Sequence, residues 1–248
     1  MQIQGILTKV SARAIVVLVA GDPVPETRLR RGGFLDLIQG SAPGFLGEPW
    51  LAHDLRELDV LPDLTDALSV IVTGSPASVT EGLPWMERAA ACLRQLVSAD
   101  VPVLGICFGH QLLGHALGGR VSANPRGREM GTVELTISHR DPVMGEPGVL
   151  QVNSTHVDSV VELPPGARVL GATALDPFAA VRFGPSAWGV QFHPEVDAEV
   201  MRHYFAARRS ALVTERFDVE ALERGVRDAP GGAAMIERFL QIARGKLR

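Results

Sequence analysis

Three short segments of the chain, 15–19, 69–72 and 101–106, are apolar at nearly every position instead of at every second one. A strand with one wet face alternates, whereas a strand covered by helices on both faces does not, so these read as buried strands of a parallel sheet. Between the second and third, residues 84–97 place Trp85, Ala89, Cys92, Leu93 and Leu96 on one side of a helical repeat. Strand, helix and strand in succession predict a right-handed crossover and an α/β fold. A further strand is expected within 51–60, where charged residues interrupt the apolar pattern.

The second half of the chain changes period. Residues 131–137 (GTVELTI) alternate strictly, and 157–161, 168–171 and 179–183 do so in part. Turn-forming groups separate them: His139-Arg140-Asp141-Pro142, Pro164-Pro165-Gly166 and Gly184-Pro185. Antiparallel strands added to the α/β core are expected here. Residues 188–192 (WGVQF) read as another apolar strand and 197–209 as a helix. The tail, 217–248, carries two amphipathic helical stretches parted by Asp228-Ala229-Pro230-Gly231-Gly232. The expected architecture is a three-layer α/β domain over 1–248. A mostly parallel sheet lies between helices, with a small antiparallel sheet added. The core covers about 14–205 and a helical extension, expected to pack on the same chain, about 206–248.

Composition narrows the class of function. With 46% hydrophobic and 21% charged residues the chain can bury a core, which excludes a disordered protein. A net charge of -4 without a basic run argues against a nucleic-acid or anionic-membrane partner. The apolar run 14–20 is too short to span a bilayer, and it leads into Gly21-Asp22-Pro23 instead of a small-residue cleavage site. The two cysteines, Cys92 and Cys107, make no disulfide framework, so a reducing, cytoplasmic setting is expected. Neither cysteine has metal-ligand spacing, and no metal or cofactor is expected.

One segment concentrates the chemistry. Residues 101–113 (VPVLGICFGHQLL) run from strand through Gly-x-Cys-x-Gly into helix. A nucleophile on a sharp strand-to-helix turn needs neighbours without side chains, which Gly105 and Gly109 supply. The helix N-terminus favours thiolate over thiol at Cys107, and the Phe108 N–H points where an oxyanion would form. The competing reading, a small residue packed in the core, applies to Cys107 as to any free cysteine, and it is adopted for Cys92 on its helix face.

A cysteine nucleophile needs a base, commonly a histidine oriented by a carboxylate. His193 follows the strand 188–192 and precedes Pro194-Glu195. Strand ends are where active-site groups collect in α/β sheets, Pro194 holds His193 extended, and Glu195 can reach back to the imidazole. His156, in Asn153-Ser154-Thr155-His156-Val157-Asp158, is the competitor. His110 and His115 lie on the helix after Cys107; His53, His139 and His203 are expected at the surface.

Residues 105–111 (GICFGHQ) and 189–195 (GVQFHPE), with Val72-Thr73-Gly74-Ser75-Pro76 after a strand, resemble the class I glutamine amidotransferases in order and spacing. The similarity runs from about Ile15 to about Tyr204 and implies that family's flavodoxin-like fold. It implies that Cys107 attacks the side-chain amide of glutamine, that His193 protonates the departing ammonia, and that Glu195 orients His193. It further implies that the N–H groups of Gly74 and Phe108 hold the oxyanion and that Gln111 lines the glutamine pocket. Residues 154–158 resemble the Ser-His-x-Asp segment of amidotransferases related to the glutaminase half of GMP synthetase, with Thr155 standing between Ser154 and His156. That places Ser154, Thr155 and His156 beside the pocket and removes His156 as the base.

The residues after Glu195 are too few for a synthetase domain, and no phosphate-binding Gly-x-x-x-x-Gly-Lys-Ser/Thr occurs. The expectation is a free-standing glutaminase, acting alone or serving a separate acceptor or synthetase protein. Two alternatives stay open: a hydrolase of other γ-glutamyl amides, and a non-catalytic regulatory protein with the same fold.

Overall fold

The computed structural model of the protein describes residue 11 and residues 13–246; the outermost residues of the 1–248 domain span lie outside the described residues. From Ile15–Val19 (β1) the chain passes through two short helices, Pro25–Arg31 (α1) and Phe34–Gly40 (α2), to Trp50–Asp54 (β2). Ser69–Val72 (β3), Pro84–Ser98 (α3), Val103–Ile106 (β4) and Phe108–Ala116 (α4) follow. Next come Arg120–Ala123 (β5), Glu129–Ile137 (β6), Gly148–His156 (β7), Asp158–Glu162 (β8), Arg168–Ala172 (β9), Ala180–Gly184 (β10) and Ala187–Val190 (β11). Helices Ala198–Thr214 (α5), Val219–Gly225 (α6) and Pro230–Lys246 (α7) complete the order.

One large sheet has the strand order β2-β1-β3-β4-β11-β10-β9-β6-β7. From β2 to β11 the pairs are parallel, and from β11 to β7 they are antiparallel. β5 and β8 form a separate small antiparallel sheet. The continuous apolar runs have the expected cause. Val16, Leu18, Val70 and Val72 face one way, onto Met86 and Leu93 of α3 and Leu112 of α4. Ile15, Val17, Ile71 and Leu104 face the other way, onto Ile236, Phe239 and Leu240 of α7. Both faces are dry, so these strands are apolar at every position but Ser69, the first residue of β3. The C-terminal helix, together with Ile38 of α2 and Phe45, therefore covers the second face of these strands.

Boundaries shift for local reasons. The 101–106 strand starts at Val103, because Pro102 has no N–H for the ladder. The 188–192 strand ends at Val190, and Gln191 and Phe192 leave the sheet. The 51–60 strand is confined to Trp50–Asp54. Pro230, placed in the break between the tail helices, instead begins α7, where a missing N–H costs nothing. Four elements were not anticipated: α1, α2, β5 and β7. In α1 only Thr27 is buried, so no apolar period exists to read. In β7 the first residues are exposed and the last five wholly buried, which matches neither strand pattern. Among the described residues no helix is long and apolar enough to cross a membrane.

Candidate active site

Cys107 joins β4 to α4 with φ 51 and ψ -103, a conformation disfavoured for a residue with a Cβ. The fold holds it there from both sides: its N–H donates to the Val190 carbonyl at 2.8 Å, and its carbonyl accepts from the Gln111 N–H at 3.1 Å. The turn closes only because two side chains are missing. A Cβ on Gly105 would stand 2.4 Å from the Gly109 carbonyl oxygen, and one on Gly109 would stand 2.4 Å from the Val72 carbonyl oxygen. Phe108 is the first residue of α4, so its N–H belongs to the turn that has no helical acceptor.

His193 sits just past β11. Its N–H donates to the Asn153 carbonyl at 2.8 Å, which ties the loop to β7. The Asn153 side chain in turn donates to the Val196 carbonyl at 2.9 Å and accepts from the Thr132 hydroxyl at 2.7 Å. The imidazole lies between Phe34, near-parallel at 6.3 Å between centroids, and Tyr204 at 6.3 Å. Nδ1 donates to Glu195 Oε1 at 2.8 Å, which leaves Nε2 for the sulfur. Gly74 lies against this ring: a Cβ there would meet His193 Cε1 at 2.8 Å. The Thr73 hydroxyl staples that loop, donating to the Gly74 carbonyl at 3.0 Å and accepting from the Ala20 N–H at 3.0 Å.

The electrostatics follow from this packing. Burial would push the Cys107 thiol up, but the charge and hydrogen bond of His193 outweigh it and hold the thiol below its ordinary range. Burial would likewise push His193 down; the Glu195 carboxylate and the Cys107 thiolate raise it to about 10. Each group thus favours the charged form of the other, which biases the buried pair toward thiolate with imidazolium. Cys92 shows the contrast: burial, with Asp63 adding to it, pushes that thiol up to about 11.

The remaining sequence-predicted residues take distinct places. Gln111 Nε2 donates to the Asp158 carbonyl at 2.7 Å and to Gln191 Oε1 at 3.1 Å, and Gln191 Nε2 donates to the Cys107 sulfur at 3.6 Å. Gln191 lies inside the quoted 189–195 segment but carried no assigned role; its contact with sulfur depends on β11 ending at Val190. Ser154 is buried on β7 opposite Gly131. The Thr155 hydroxyl is buried and has no hydrogen-bond partner among the described residues. His156 makes no hydrogen bond to the sulfur. Its Nε2 donates to Glu129 Oε2 at 3.3 Å and its Nδ1 to the Asp158 carbonyl at 3.0 Å. Burial would lower His156, but the hydrogen bond to Glu129 and the Cys107 charge outweigh it and raise it above its ordinary value. Glu129 also accepts from Thr173 at 2.6 Å. Nothing in the spacing of Glu129, Thr173 and His156 along the chain signals this cluster. His110 is buried against Phe183 and, pushed down by burial to about 3, stays neutral. His53, expected at the surface, is half-buried on β2.

Two cavities flank the sulfur. One, of about 270 Å³, is lined by Ser75, Cys107, Phe108, Gln111, Thr155 and His156, among others. The other, of about 330 Å³, is lined by Phe34, Cys107, Thr155, His193, Tyr204 and Arg208, among others. Among the described residues no group of three or more His, Cys, Asp or Glu side chains is placed to hold a metal ion.

The chain is similar to known proteins over most of its length. A glutamine amidotransferase-like protein of Schizosaccharomyces pombe is 27% identical over 91% of this chain and 98% of its own length. The GMP synthase (glutamine-hydrolysing) of Syntrophomonas wolfei is 40% identical over 52% of this chain, a match that spans about a quarter (24%) of that enzyme's length. A glutamine amidotransferase structure from Thermotoga maritima superposes with a TM-score of 0.72, covering 92% of this chain and 96% of that one at 21% identity. The family model for class-I glutamine amidotransferase matches residues 50–210, a stretch that contains the elbow, the Gly74 loop and the His-Pro-Glu turn. The chain belongs to the class I glutamine amidotransferase family.

Proposed function

We propose that the protein hydrolyses the side-chain amide of glutamine through a cysteinyl thioester, giving glutamate and ammonia. The observation that carries this reading is geometric: Cys107 is held at φ 51 on the elbow against a buried His193 whose Nδ1 donates to Glu195 at 2.8 Å, and that packing moves the thiol downward and the imidazole upward. A packed core has no use for a charge-separated pair, whereas a nucleophile and its proton donor need one. In this reading the Cys107 thiolate attacks the amide carbon, and the N–H groups of Gly74 and Phe108 receive the oxyanion. His193 gives its proton to nitrogen as the C–N bond breaks. Water then attacks the thioester with His193 as base, and glutamate leaves. Glu195 holds the imidazole in the tautomer that serves both steps. Gln111 works through Gln191 on the sulfur, and Ser154, Thr155 and His156 border the pocket. Thiolate, proton donor and water suffice, so the chemistry calls for no metal or cofactor.

The proposed unit is one amidotransferase domain, with its ammonia passed to a separate acceptor or synthetase protein in the cytoplasm. Ammonia release from glutamine is the test. Cys107→Ala should abolish it with the melting temperature retained, and a glutamine-analogue affinity reagent should label Cys107. Undiminished release by Cys107→Ala would overturn the nucleophile assignment.

A further inference from the structure

The two cavities beside the sulfur share Ser75, Pro76, Cys107, Thr155 and Arg208, but His193 and Tyr204 line one, and Phe108 and Gln111 the other. The cavity holding Phe108 and Gln111 carries the oxyanion side and, on the proposed reading, takes the glutamyl half of the substrate. The other opens on His193, so the departing nitrogen that receives the His193 proton points into it. That cavity measures about 330 Å³. Ammonia needs only the ~30 Å³ or so of a water-sized molecule. The rest of the space is walled largely by Pro23, Val24, Phe34 and Tyr204.

Its charged groups are unequal. His193 is paired with Glu195 at 2.8 Å. Asp22 is neutralised by Arg28 and by Arg56 at 3.0 Å. Arg208, half-buried on α5, forms no ion pair with a carboxylate among the described residues. Its guanidinium instead lies over the Tyr204 ring at 5.4 Å. Nearby arginines are satisfied: Arg128 by Glu215 at 2.8 Å, and Arg209 by Glu220 and by Glu223 at 3.0 Å. Burial lowers the Arg208 guanidinium from its usual range, so it sits desolvated without a fixed anion. Such a cation is costly to hold unless an anion arrives from outside the chain, and the planar fork matches a carboxylate.

We infer that the cavity on the His193 side takes the amine half of a γ-glutamyl amide, and that Arg208 binds a carboxylate on that amine. The site then takes γ-glutamyl amino acids or peptides in addition to glutamine. This rests on the proposed hydrolysis at Cys107. Sulfur bonds to the γ-carbonyl carbon, and the C–N bond breaks with its electron pair on nitrogen, which takes the His193 proton. The amino acid leaves as a free amine. Water adds to the thioester carbon, returns a proton to His193, and the C–S bond breaks to restore the thiolate. The sum is γ-glutamyl amide plus water to glutamate plus amino acid.

The test compares kcat/KM for γ-glutamylglycine with that for γ-glutamylglycinamide, which differ only in carboxylate against carboxamide, beside glutamine. The wild-type ratio should favour γ-glutamylglycine by roughly tenfold to a hundredfold, the range of a charge-assisted hydrogen bond. In Arg208→Gln the ratio should fall to about one, with Arg208→Lys between. The ratio normalises for partial misfolding, and labelling of Cys107 by the glutamine-analogue reagent counts the intact sites. A wild-type ratio near one, or a ratio that survives Arg208→Gln, overturns the inference. So does an equal loss on all three substrates, which would assign Arg208 to the glutamyl half. Glutamine turnover through Cys107 with a ratio near one sinks this inference alone. Turnover of none of the three by wild type sinks it together with the proposed hydrolysis.

Discussion

Replacing His193 with asparagine removes the imidazolium beside Cys107 while leaving a polar side chain to fill the space. Burial, the largest influence on that thiol, then acts unopposed by its strongest partner. Cys92 sets the scale of such a change: burial, with Asp63 adding to it, pushes that thiol from 9.0 to about 11. A thiol moved over that interval loses about a hundredfold in thiolate fraction at neutral pH. The more basic thiolate is the better nucleophile, with a Brønsted coefficient of ~0.4–0.5, which returns roughly eightfold. The net loss over that interval is about tenfold. The assay is the rate of alkylation of Cys107 by iodoacetamide at pH 7, followed by mass spectrometry in a Cys92→Ala background. The variant should react about tenfold more slowly at pH 7, and the gap should close as pH approaches 11. A His193→Asn protein that alkylates at the wild-type rate at neutral pH would refute the thiolate–imidazolium account.

Glu195 is the largest of the influences that raise His193 to about 10, so Glu195→Gln should release it toward 6.5. A raised value means the proton is kept until pH climbs through it. The alkaline limb of kcat/KM for glutamine should therefore lie near 10 in wild type and move to lower pH in the variant, as a profile from pH 6 to 11 will show. Gly105→Ala would set a Cβ 2.4 Å from the Gly109 carbonyl oxygen and 2.7 Å from the His110 nitrogen, both backbone atoms that cannot swing aside. A cost of about 3 kcal/mol and a fall in Tm of roughly 6–12 °C should appear by calorimetry; an unchanged Tm would mean the elbow is looser than described. Glu129→Ala strips the buried His156 of its carboxylate, and urea unfolding should register a loss of about 3–5 kcal/mol; a loss under about 1 kcal/mol would mean that His156 is neutral.

What could be read from the sequence is what is encoded over a few neighbouring positions. The buried strands at 15–19 and 69–72 are apolar at every position but Ser69, because α3 and α4 cover one face of the sheet and α7 the other. The elbow is readable because a sharp turn excludes side chains at Gly105 and Gly109 whatever the rest of the chain does. The His-Pro-Glu turn is readable because the bond from His193 to Glu195 spans only two residues. The outer features are different in kind. The Glu129–His156 pair forms because β6 and β7 align in register. Gln191 meets the sulfur because β11 stops one residue earlier. Arg208 reaches the site only because α5 lays its side of the helix along the cavity. Contacts between residues far apart in the chain leave no local period or spacing behind. Local pattern was enough to point to a cysteine, a histidine and a carboxylate, while the charge state of the pair and the shape of the space around it required the packed sheet and helices.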